Sequence, residues 1–90
     1  MKKLNKLDVI MQEVGHPYFL MAVSHLMDVG YRFLTEEAVK ETVAEIEKEE
    51  NDCCMVMSKD FKIHILELSY RIKEAATPHE LIRYAAKLLH

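Results

Sequence analysis

From Val39 to Ala75 the chain keeps one beat. Apolar residues stand at Val39, Val43, Ile46, Cys53, Met57, Phe61, Ile65, Leu68, Ile72 and Ala75, and Glu50 fills the remaining place, so ten steps cover 36 residues. The mean step of 3.6 is the repeat of the α-helix, whereas a half-buried strand needs a step of two. An unbroken helix from Glu36 to Ala76 would be about 60 Å long. That is too long for one small domain, so a break is expected near Asn51 or Ser58. One string competes with the helical reading. Phe61-Lys62-Ile63-His64-Ile65 alternates, and residues 53–57 could pair with it across a Ser58-Lys59-Asp60 turn. The alternative is therefore an α+β fold with a hairpin near residues 53–66.

The rest of the chain favours helices. Gly and Pro number two each among 90 residues, too few for the many turns of a sandwich or barrel. Asn5 is placed to cap a first helix reaching Val14, with Leu7, Ile10, Met11 and Val14 on one face. Gly15 ends it, and His16-Pro17 opens the next. The second helix, Pro17 to about Val29, is apolar nearly all round, which predicts a central position or an interface. After Gly30, Tyr31 to Leu34 carry three large apolar groups, expected to fold over the core. Thr35 caps a third helix whose seam is narrow (Val39, Val43, Ile46), so it belongs at the surface. Thr77-Pro78-His79-Glu80 is a capping box with Pro in the first turn. It starts a last helix with Leu81, Ile82, Ala85, Leu88 and Leu89 on its apolar face. The expected fold is all-α, one domain over residues 1–90, a bundle of four to five helices with short connections.

Charge is mild overall, −3, but unevenly placed. Between Thr35 and Asp52 eight acids face two lysines. Glu41, Glu45 and Glu49 form a row along one helix face, which is most simply a solvated surface. Its functional reading is an acidic docking face. No basic stripe suits phosphates, and nucleic acid is a disfavoured partner. The mildly basic exception is the last helix, with Arg83 and Lys87 one turn apart and His79 and His90 nearby. It carries the alternative of a DNA-binding regulator. Isolated Gly15 and Gly30 cannot form a phosphate-cradling loop.

Cys53 and Cys54 are adjacent, a poor geometry for a mutual disulfide and not the spacing of a zinc site. The expectation is two inert thiols in a reducing, cytoplasmic setting, with a metal or thiol site there as a further alternative. A Cys54–His64 pair on one helix would be about 15 Å apart, out of hydrogen-bond reach. No cofactor, metal or catalytic residue is expected. The most apolar window, Tyr18 to Val29, contains Ser24, His25 and Asp28 and is too short to span a bilayer.

What remains is surface logic. A chain of this length buries only about 60–65% of its unfolded surface, and half its residues are hydrophobic. Some apolar surface should stay open for a partner or a second copy. Met suits adaptable binding surfaces. The expected function is a non-enzymatic helical interaction module, a regulator, adaptor or inhibitor of a protein partner, as a homodimer. The expected contact residues are Met21, Met27, Tyr31, Phe33, Glu41, Glu45 and Glu49.

Overall fold

A computed structural model describes residues 5–48 and 58–89. The described residues form five α-helices: α1 (Lys6–Val14), α2 (His16–Asp28), α3 (Glu36–Lys48), α4 (Lys59–Ala75) and α5 (Pro78–Leu89). A single 3-10 turn, Tyr31–Phe33, joins α2 to α3. The all-α bundle expected from the sequence is the fold. The hairpin is not: Lys59 to Leu66 are helical. Ser58 caps α4, its Oγ accepting the Phe61 N–H at 3.2 Å. That cap and the longer helical beat outweigh five alternating residues. The long beat is divided between α3 and α4, while Glu50, Asn51, Cys53 and Met57 lie outside the described residues.

Caps written in the sequence set the other boundaries. The Asn5 side chain accepts the Leu7 N–H at 2.9 Å, and Asp8 accepts the Asn5 N–H at 3.3 Å. Gly15 adopts φ +94° and donates its N–H to the Met11 carbonyl at 2.8 Å, so the chain can turn directly into α2. At α5, Thr77 Oγ1 accepts the Glu80 N–H at 3.3 Å, and Glu80 Oε1 accepts the Thr77 N–H at 3.3 Å and its hydroxyl at 2.9 Å. Each such cap contributes about 1 kcal/mol.

The core runs along α2 and α4, the most extensive helix pair. Phe19, Ala22, Val23 and Leu26 of α2 meet Ile65, Leu66, Leu68 and Ile72 of α4, joined by Leu7 and Ile10 from α1, Leu34, Val39 and Leu81. The one buried polar side chain among the described residues is Ser69. Its single hydroxyl proton is shared between the carbonyl oxygens of Ala22 at 3.0 Å and Ile65 at 2.8 Å. A small residue on each helix lets α2 and α4 approach closely there, and the hydroxyl is satisfied at the same time.

Three expectations need correction. Helix α2 is not buried all round: Tyr18, Met21 and Met27 are 40–43% exposed, and Val29 just after it is 39% exposed. An unbroken apolar surface cannot say which side faces the core; the Ala22–Ser69 crossing decides it. In the 31–34 connection, Leu34 is buried and the half-buried Tyr31 donates its hydroxyl to the Lys73 carbonyl at 2.8 Å. Phe33, however, is 67% exposed, with the Arg32 guanidinium 5.3 Å above its ring. On α5, Leu81 is buried and Ala85 and Leu88 are partly so, but Ile82 and Leu89 of the expected apolar face are open.

Two polar ties hold the outer helices. Tyr84 on α5 donates its hydroxyl to Asp8 on α1, while its ring stands edge-on to Phe19 at 5.6 Å. Burial, then the bond to Asp8 and its negative charge, push the Tyr84 phenol up to about 12. Arg71 and Glu13 form an ion pair at 2.7 Å, but both side chains are half-exposed. Its contribution is small, about 0–1 kcal/mol.

Candidate functional site

A groove opens where α2, α3 and α4 meet. Met21, Ser24, His25 and Asp28 of α2 form one wall and Thr42 and Ile46 of α3 the other. Phe61, Lys62, Ile65 and Leu66 of α4 complete the lining, around a volume of about 360 Å³. A cavity of about 150 Å³ holds a benzene ring, so this groove is large enough to seat an apolar side chain.

The groove follows from the local sequence. Helix α3 commits Val39 to the core, and Val43 packs against it. At 100° per residue, Thr42 and Ile46 then stand on the edge turned toward α2. Glu45 is the next residue round from Thr42, and Glu41 continues that side; both are exposed. The charged residues of the lining itself are Asp28 and Lys62. Below it, Tyr18 packs on Phe61 and edge-on to His64, each with ring centroids 5.8 Å apart.

His25 adds a polar group under pressure. Its Nε2 is sealed from solvent and has no hydrogen-bond partner. A buried unpaired nitrogen costs about 1–3 kcal/mol. It marks this wall as locally less well satisfied than the core around Ser69.

The expected contact residues are only partly brought together. Met21 lines the groove, whereas Glu41 and Glu45 are exposed on α3 and do not line it. Met27 is exposed on α2 but does not line the groove. Tyr31 is tied to α4, and Phe33 projects from the 3-10 turn. Glu49 lies outside the described residues. Sequence reasoning missed Thr42, Ile46, Phe61 and Ile65 as lining groups, because the helical beat reports only that they are apolar or seam-side. Their common opening depends on how three helices cross.

The competing sites fare as follows. Arg83 and Lys87 are exposed on α5 and border a shallow cleft with Asn5, Leu7, Glu80 and Tyr84. His79 is exposed, and His90, Cys53 and Cys54 lie outside the described residues. The sequence holds a Glu-x-x-His, Glu13 to His16, of the kind used in di-metal bundles. Gly15 breaks the helix between the two, and Glu13 is paired with Arg71. Among the described residues no group of three or more His, Cys, Asp or Glu side chains is placed to hold a metal ion. None of their helices is long and apolar enough to cross a membrane.

The fold and groove define a small all-α bundle with an apolar cleft between α2, α3 and α4. No protein-family model, curated protein or solved structure matches this chain.

Proposed function

We propose that this chain is a non-enzymatic interaction module that seats an apolar helical segment of a protein partner in the α2–α3–α4 groove. The observation that supports this reading is the groove itself: an open apolar cleft, Met-bearing on one wall, with Asp28 in its lining and the exposed acids Glu41 and Glu45 elsewhere on α3. Amphipathic helices bind such grooves through anchors at helical spacing. The carboxylates speed encounter and select against acidic partners.

A designed short amphipathic peptide of Leu and Lys is the probe, with a Leu and Glu peptide of the same spacing as its control. Saturable binding of the Leu/Lys peptide, lost in Thr42→Arg or Ile46→Lys, supports the reading. Equal binding of both peptides, or binding indifferent to these substitutions, contradicts it.

A further inference from the structure

Among the described residues, α3 is the least anchored helix. Val39 is its one buried side chain, and Val43 is partly buried beside it. It packs chiefly against α4, and where it faces α2 the groove of about 360 Å³ lies between them. The other elements are tied across the fold. Tyr84 holds Asp8 of α1, Arg71 holds Glu13 of α1, Tyr31 reaches the Lys73 carbonyl, and Ser69 joins α4 to α2. The side-chain bonds described for α3 stay within the helix and its cap. Thr35 Oγ1 accepts the Ala38 N–H at 3.1 Å, Thr42 donates its hydroxyl to the Ala38 carbonyl at 2.8 Å, and Lys40 pairs with Glu36 at 3.3 Å.

Helix α3 also does little to hold itself. It has 13 residues, and a helix below about 12–15 residues is marginal in water once detached from its neighbours. Glu37, Glu41 and Glu45 follow one another at four-residue spacing on its exposed side, and like charges at that spacing repel. The Lys40–Glu36 pair is solvent-exposed and contributes little. The rest of the core is built without α3: apart from Val39, the buried hydrophobic residues belong to α1, α2, α4 and α5, with Leu34 from the connection.

From these observations we infer that α3 is a separately opening flap, which detaches and unravels while α1, α2, α4 and α5 stay folded together. Elements with few buried apolar side chains open at a lower free energy than the core they cover. Opening uncovers the surface of α4 on which α3 packs. It also widens the groove over Ile65 and Leu66, which are buried while α3 is in place. Opening of this kind is a property of the free chain and is independent of the docking reading.

Amide hydrogen exchange on the free chain tests it. The amides from Lys40 to Ile46 should be protected, but at least about tenfold less than those from Ile65 to Ile72. In the wild-type chain, urea below the unfolding range should lower the α4 protection steeply and the α3 protection little, because opening one helix exposes less surface than global unfolding. Ile10→Val lies in the part that stays folded. It should lower the α4 protection about fivefold, the usual effect of this change, and leave that of α3 unchanged. Val39→Ala should lower the protection of all the α3 amides together. Equal protection in α3 and α4 overturns the flap, as does an α3 protection that falls with that of α4 in urea or in Ile10→Val. Losses in Val39→Ala confined to the amides nearest residue 39 would mean fraying and not a unit, and also overturn it. So would α3 amides that exchange as fast as those of an unfolded chain, since such a helix would never close.

Discussion

The Ser69 hydroxyl on α4 lies 3.0 Å from the Ala22 carbonyl oxygen on α2, and neither residue reaches solvent. This crossing sets the phase of α2. It turns Phe19, Val23 and Leu26 inward and leaves Met21 on the groove wall. Replacing Ser69 by Ala removes one buried hydrogen bond and should cost about 1 kcal/mol. Replacing it by Leu forces the helices apart and should cost more, about 1–3 kcal/mol. Urea unfolding midpoints give the order. A Leu variant as stable as wild type would mean that the helices do not meet closely there.

The Tyr84–Asp8 tie makes a pH prediction with a definite sign. Folding raises the Tyr84 pKa from its ordinary value of 10.0 to about 12. The folded chain therefore keeps a proton that the unfolded chain gives up first. The stability linked to it is fully present below pH 10 and is lost as pH rises toward 12. The Tyr31 and Tyr70 phenols are raised as well, by burial first and then by Glu74, so in an absorbance titration Tyr84→Phe should remove the one phenol that titrates at about 12. At neutral pH the same change should cost about 1.5 kcal/mol, the low end for a bond to a charged acceptor. A Tyr84→Phe curve that loses no phenol titrating at about 12 would rule out this assignment.

Gly30 holds φ +80° after the end of α2, where an added Cβ would come within 2.9 Å of the Phe33 ring. Gly30→Ala should cost about 1–2 kcal/mol, the strain of a left-handed residue with a side chain. Adding Phe33→Ala should recover little, because the exposed ring can swing aside. Full recovery in the double variant would show that crowding, not backbone strain, dominates.

Two exposed methionines of α2 separate surface from site. Met21 lines the groove and Met27 does not, although their exposures are nearly equal. Met21→Ser should weaken binding of the Leu/Lys peptide about tenfold, a loss of about 1.4 kcal/mol. Met27→Ser should leave that affinity unchanged. Stability should shift little in either case, since both side chains are already largely hydrated. Equal effects of the two substitutions on affinity would place the contact elsewhere on α2.

The boundaries of the fold were legible because caps are local chemistry. Asn5 with Asp8, Gly15 before His16-Pro17, and Thr77-Pro78 with Glu80 each announce a helix end within a few residues. The beat from Val39 onward likewise identified α3 and α4, and Ser58 marked the start of α4. What stayed hidden depends on long-range placement. An all-apolar α2 has no phase of its own, so its exposed face could not be read. Ser69 looks like a surface residue until Ala22 lies opposite. Asp8 and Tyr84 are 76 positions apart in the chain. The groove combines Met21, which the sequence singled out, with Thr42, Ile46, Phe61 and Ile65, which it did not, and leaves out the α3 acids. Phe33 and Met27 were singled out for being apolar, and the fold leaves both outside the groove.

Amide shift mapping of the chain against the Leu/Lys peptide tests the central claim most directly. Seating in the groove predicts saturable shifts concentrated at Met21, His25, Thr42, Ile46 and Ile65, with α1 and the outer side of α5 unmoved. Shifts centred on α1 or α5, or no shifts at peptide concentrations near 1 mM, the weak limit of specific contacts, would contradict the assignment of this groove as the docking surface.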